Sequence, residues 1–200
     1  MDVTKIVSDA LTNALTAEAY GELLQTYGKE GKTSGEQKED LVYYTRLNAQ
    51  RSKRIAKTTK IDDKLVEKLH ALPRQTWLVI SETWCGDAAN TVPIISLLAN
   101  LSKNIELKVV FRDEHPDLMD QFLTKGGRSI PKLIALDAQK HVLFDWGPRP
   151  KEAQELYWNW RESENRMPYT EFHLVLQKWY NDDRGKSTLG ELEELIDKTF

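Results

Sequence analysis

Apolar positions along the chain change their spacing three times. Over the first 27 residues Val3, Ile6, Val7, Ala10, Leu11, Ala14 and Leu15 recur at three- and four-residue steps, the signature of one buried helix face. Tyr20, Leu23, Leu24 and Tyr27 continue the stripe, and Thr16 is placed to cap a second helix. The segment GKEGKTSG (28–35) interrupts it with three glycines and no large apolar side chain. Ser34 and Gln37 have the spacing of a capping box, which predicts a helix from Gly35 or Glu36 to about Lys57. A short helix with Ile61, Leu65 and Leu69 on one face ends at Pro73.

From Gln75 the pattern becomes strand-like. TWLVIS (76–81) is a continuous apolar run, as a strand buried on both faces requires. Residues 86–102 read as a helix with Ile94, Ile95, Leu97, Leu98 and Leu101 inside and a kink expected at Pro93. IELKVVF (105–111) is a second strand, and PDLMDQFLTKG (116–126) a helix opened by proline and closed by glycine. PKLIALD and HVLFDW form a hairpin. After Pro150 the chain reads as helical, its last helix striped by Leu189, Leu192, Leu195, Ile196 and Phe200.

The middle is therefore β-α-β-α-β-β-α, an α/β fold with a central four-stranded mixed sheet and a right-handed βαβ crossover. The expected organisation is an N-terminal helical extension over 1–72, a core over 73–160, and a C-terminal helical extension over 161–200 packed on that core.

Composition narrows the function classes. A chain of 200 residues, 40% hydrophobic with six tryptophans, is long and apolar enough to fold without disulfides. A net charge of -3 gives no electrostatic footprint for nucleic acid. No apolar run approaches the roughly 18–20 residues of a membrane span. The start MDVTKIVSDAL lacks a signal-peptide apolar region, and there is one cysteine, so a reducing cytoplasm is the expected setting.

That cysteine lies in ETWCGDAAN (82–90), where a strand ends and a helix begins. Unpaired amides and the helix dipole there favour thiolate. Gly86 permits close approach of a partner and Trp84 can shield the sulfur. Asp87 suits the dipole yet opposes thiolate. The carboxyl end of a parallel strand is where open α/β sheets build sites, which predicts an accessible Cys85. A second signal is GGRSIPKLIAL (126–136). A cis bond is expected at Ile130-Pro131, leaving the Ile130 backbone free to pair with an extended chain.

With W-C-G at 84–86 and G-x-R-x-I-P at 126–131, the core resembles a thioredoxin fold. It is more specifically similar to a thioredoxin-like family whose motif reads W-C-G-D-A, lacking the second cysteine. WGPRPKEAQEL (146–156) and the basic LNAQRSKRIAKT (47–58) share that likeness, which spans roughly residues 40–160. The resemblance implies that Cys85 matches the attacking thiolate, Pro131 the cis-proline and Gly147 the substrate-groove glycine. Ala88 falls where a resolving thiol would stand, and Val79 where thioredoxins bury a proton-shuttling aspartate. Dithiol reduction within one molecule is therefore excluded.

Around Cys85 the topology gathers Arg112, Arg128 and Arg149 on one sheet edge, suited to a carboxylate ligand or a thiolate. Asp113, Glu114 and His115 are accounted for by the helix start at Pro116, and no metal site is expected. His70, His141 and His173 have no visible partnership with Cys85. Arg46, Arg51, Lys53, Arg54, Lys57 and Lys60 form an acid-free stretch, either a solvated face or a surface for an anion or partner. The tryptophans of LYWNW (156–160), with Trp179, read as packing between C-terminal helices.

Two functions fit. The first is a monothiol protein of cell redox homeostasis, exchanging at Cys85 with a protein or small-molecule thiol or disulfide. It needs no cofactor beyond a low-molecular-weight thiol as co-substrate. Its substrate-binding set would be Trp84, Gly86, Asp87, Arg128, Ile130, Pro131, Gly147 and Arg149. The second is a redox-inactive thioredoxin-fold module that binds a protein partner. A bridged iron–sulfur site is disfavoured, because Asp87-Ala88 does not match the Phe-Ser of monothiol glutaredoxins.

Overall fold

The computed structural model describes residues 2–200. Five strands form one mixed sheet: β1 (Leu15–Thr16), β2 (Gln75–Ser81), β3 (Ile105–Phe111), β4 (Lys132–Leu136) and β5 (Val142–Trp146), in the order β1-β3-β2-β4-β5. Trp77, Leu78, Val79 and Ile80 are fully buried, as a central strand covered on both faces demands. β3 pairs with β2 in parallel, Val79 opposite Val109, and β4 pairs with it antiparallel, Val79 opposite Leu133.

Among the described residues nine α-helices accompany the sheet: α1 (Val3–Leu11), α2 (Ala17–Glu30), α3 (Glu39–Thr58), α4 (Asp63–Ala71), α5 (Gly86–Asn100), α6 (Pro116–Met119), α7 (Lys151–Glu162), α8 (Tyr169–Asp183) and α9 (Lys186–Thr199). Side chains of α1, α2, α4 and α9 share one apolar core with the sheet, among them Val7, Tyr20, Leu69 and Leu192. α7 and α8 keep a separate apolar cluster of Ala153, Phe172, Leu176 and Tyr180, in which Trp160 stacks on Phe172 at 4.5 Å. No helix among the described residues is long and apolar enough to cross a membrane.

Three local expectations change. The sheet has a fifth strand, because the helical stripe breaks after Leu11 and Leu15 pairs with Val109. Thr16 then caps α2 by accepting the Ala19 N–H at 3.1 Å. The capping box does not form: α3 starts at Glu39 because the Ser34 hydroxyl is drawn to the buried Glu82 carboxylate instead. The helix expected over 116–126 stops at Met119. The chain then turns through Lys125 and Gly126, both with positive φ, where Thr124 bonds Gly127.

Candidate functional site

β2 delivers the chain through Glu82, Thr83 and Trp84 to Cys85, which is the N-cap of α5. Its Sγ accepts the Ala88 N–H at 3.4 Å, and the thiol donates to the Ile130 carbonyl at 3.3 Å. Cys85 is 7% exposed, so the accessible sulfur expected from its strand-end position is not found. The sulfur is held between the first turn of α5 and the Ile130 loop, whose cis Ile130–Pro131 peptide precedes β4. Burial pushes the thiol pKa up to about 12, and the Asp87 carboxylate adds to the rise. The Ala88 amide and Arg149 act the other way without offsetting it. Near neutral pH the group rests as the thiol, so the expected activation by the helix start is outweighed by desolvation.

The loop before Cys85 is held from below by a buried polar network. Ser34 and the Asp113 N–H (3.0 Å) donate to the Glu82 carboxylate, and the Ser34 N–H donates to Thr83 Oγ1 at 2.8 Å. Asn48 of α3 donates to the Thr83 carbonyl at 3.1 Å. Burial raises the Glu82 carboxyl above its ordinary range, against the opposing effect of its hydrogen bonds. Segment 33–48 is thereby fixed to the Cys85 loop.

Beside the sulfur, Asp87 pairs with Arg149 at 2.6 Å, each side chain 9% exposed. The Tyr180 hydroxyl donates to Asp87 at 2.8 Å, and the Arg149 guanidinium lies 4.1 Å over the Tyr157 ring. Arg128 grips Asp120 with two bonds of 2.7 Å. Arg112 pairs with Asp113 at 2.8 Å and sits 4.9 Å over Trp84.

Above these groups opens a cleft of about 530 Å³. Trp84, Cys85, Gly86, Asp87, Arg112, Arg128, Ile130 and Arg149 all line it, so most of the candidate residues meet in one place. Pro131 and Gly147 do not reach its wall. Gly147, at φ 113°, packs against the Pro131 carbonyl so closely that a Cβ would overlap it. Its role is to shape the loop behind the site.

Other wall residues were not placed at this site by the sequence: among them Tyr44 and Arg51 of α3, and Tyr169, His173, Gln177 and Tyr180 of α8. For Arg51 the acid-free basic stretch was a signal; for α8 there was none, because its contacts with the cleft are tertiary. The seam of α8 is polar. Gln177 and Asn90 exchange two amide bonds of 3.1 Å, and Arg54 donates to Asn181 at 2.5 Å.

Known proteins share this architecture. A family model described as thioredoxin matches residues 34–165. Among curated proteins nothing matches. The 1.5 Å crystal structure of a protein of unknown function from Pseudomonas aeruginosa superposes with a TM-score of 0.58 at 19% identity, covering 77% of this chain and 86% of that one. The crystal structure of an HIV epitope-scaffold does so with a TM-score of 0.57 at 17% identity, over 88% of this chain and 98% of the scaffold. At such identities the likeness speaks for a thioredoxin-like fold alone.

Proposed function

The chain belongs to the thioredoxin family, and from that premise we propose that Cys85 is a gated monothiol, exchanging with small thiols and disulfides in a reducing compartment. The observation that carries this reading is the sulfur's position. It lies on the floor of the cleft, between the first turn of α5 and the Ile130 carbonyl. The likeness to W-C-G-D-A proteins points the same way. The presence of α8 as a wall favours a small-molecule substrate over an extended protein chain.

The chemistry is simple to balance. Cys85 releases its proton to water, and the thiolate attacks one sulfur of a disulfide. A Cys85–substrate S–S bond forms as the substrate S–S bond breaks, and the departing thiolate takes up a proton. Position 88 is alanine, so a second, external thiol must attack the mixed disulfide and restore Cys85. In the buried site the thiol stays protonated. Reaction draws on openings that let water reach the sulfur, and α8, joined to α5 through the polar Asn90–Gln177 seam and packed in its own apolar cluster with α7, is the wall of the cleft that would move.

Incubation with oxidised glutathione, followed by intact mass, tests this. One glutathionyl group should appear on wild-type protein, leave on addition of reduced glutathione, and be absent from Cys85→Ser. A wild-type chain that never gains the group would overturn the reading. A second reading, a redox-quiet binding cleft, is favoured by the thiol proton being donated to Ile130. It predicts ligand capture that survives both Cys85→Ser and reducing agent.

A further inference from the structure

Four arginines border the cleft, and three have carboxylate partners: Arg149 with Asp87, Arg128 with Asp120, and Arg112 with Asp113. Arg51 has none among the described residues. Its guanidinium makes a hydrogen bond from Nη1 to Asn48 Oδ1 at 3.2 Å, and Asn48 is itself tied to Thr83. The group is thus positioned rather than free in solvent. It is half-buried, which weakens screening of its charge by water. Arg54 lies three residues on along α3, near enough for like-charge repulsion to act with burial against the Arg51 charge. Arg54 too has no carboxylate partner among the described residues; it bonds the Asn181 amide oxygen.

Further positive potential converges on the same place. A Cβ on Gly86 would lie 3.7 Å from Arg51 Nη1, so the guanidinium rests against the first turn of α5. The dipole of that 15-residue helix is positive there, even with the Ala88 amide taken by Cys85 Sγ. Independently, two buried nitrogens on the cleft have no partner among the described residues: Arg149 Nε, on a side chain nine-tenths buried, and His173 Nδ1. A smaller hollow of about 290 Å³, bordered by Arg51, Arg54, Gln177 and Asn181, adjoins the cleft. Arg51 and Arg54 without carboxylate partners, a positive helix end and the orphaned Arg149 Nε–H donor around adjoining hollows are an arrangement that an anion completes.

We propose that Arg51 anchors a carboxylate of the small thiol or disulfide ligand, with the ligand's sulfur end directed toward Cys85. This rests on the cleft being a small-molecule site and supplies the ligand's charge class. Cationic thiols such as cysteamine are then poor ligands, and carboxylate-bearing ones good.

Calorimetric titration of the Cys85→Ser protein with S-methylglutathione, which carries carboxylates but cannot exchange, isolates binding from chemistry. Arg51→Gln in that background should weaken binding roughly tenfold or more, the scale of a hydrogen bond to a charged group. Arg51→Lys should fall between, and rising salt should weaken binding to the arginine form. The ester of the same probe, with its carboxylates blocked, should bind the Arg51 protein roughly tenfold worse, a comparison that needs no substitution at all. Equal affinity for acid and ester, no effect of Arg51→Gln in a folded variant, or no binding of S-methylglutathione overturns the proposal. So does inorganic phosphate binding as tightly as the probe, which makes the site a bare anion site. Glutathionylation of wild type that ignores Arg51 leaves the monothiol reading standing and this one fallen. Arg51-dependent binding to a chain whose Cys85 never forms an adduct does the reverse.

Discussion

Replacing Asp87 by asparagine separates the two influences that hold the Cys85 thiol protonated. The thiol pKa of about 12, against an ordinary 9.0, places about 4 kcal/mol against the thiolate. Burial is the largest cause and the Asp87 carboxylate the next. If the carboxylate accounts for about 1.4–2 kcal/mol of this, Asp87→Asn raises the thiolate population roughly ten- to thirtyfold at fixed pH. Arg149, freed of its partner, reinforces the change. A less basic thiolate is also a weaker nucleophile, so the alkylation rate should rise only about three- to sixfold. The assay is the second-order rate of iodoacetamide addition at pH 8, followed by intact mass. Stability should drop by about 3–5 kcal/mol, since a buried arginine loses its counter-ion. The pair Asp87→Asn with Arg149→Gln should recover part of that loss, which thermal melting reads. A folded Asp87→Asn protein that alkylates no faster than wild type refutes the electrostatic reasoning.

Gln177→Ala removes both amide bonds to Asn90, about 2 kcal/mol of closed-state stability, so Cys85 alkylation should accelerate about tenfold or more if α8 is the gate; an unchanged rate argues against gating. Ala88→Cys puts a second sulfur one helical turn from Cys85, where the Ala88 amide already contacts Sγ. Mild oxidation should then give an intramolecular disulfide, seen as a loss of two hydrogens in mass, and two thiols persisting under oxidant would contradict the geometry. Gly147→Ala combines a positive φ with overlap on the Pro131 carbonyl. It should cost at least about 2 kcal/mol and lower the melting temperature by roughly 4–8 °C.

The sheet was largely legible because burial on two faces leaves an unmistakable pattern. Nothing but a central strand explains TWLVIS, and the hairpin followed from two apolar runs around a polar turn. Errors arose where a side chain had two uses. Ser34 has the spacing of a cap but serves a buried glutamate 48 residues away, a contact no local window contains. Leu15 continued a helical stripe yet pairs with Val109, because a short edge strand inherits its register from a distant neighbour. The meeting of Arg112, Arg128 and Arg149 on one cleft could be foreseen from topology. Their neutralisation by Asp113, Asp120 and Asp87 could not. The state of Cys85 was the largest surprise. Its place at a helix start argues for thiolate, and only tertiary burial, with the Ile130 carbonyl against the sulfur, decides that desolvation wins.

The pH dependence of Cys85 alkylation in the wild-type chain tests the gated monothiol most directly. A thiol with its pKa raised by burial loses its proton only in strongly basic solution, so the rate should climb about tenfold per pH unit from pH 7 to 10 without levelling. A rate that reaches a plateau below pH 9 would mean an ordinary or activated thiolate, and would contradict the account.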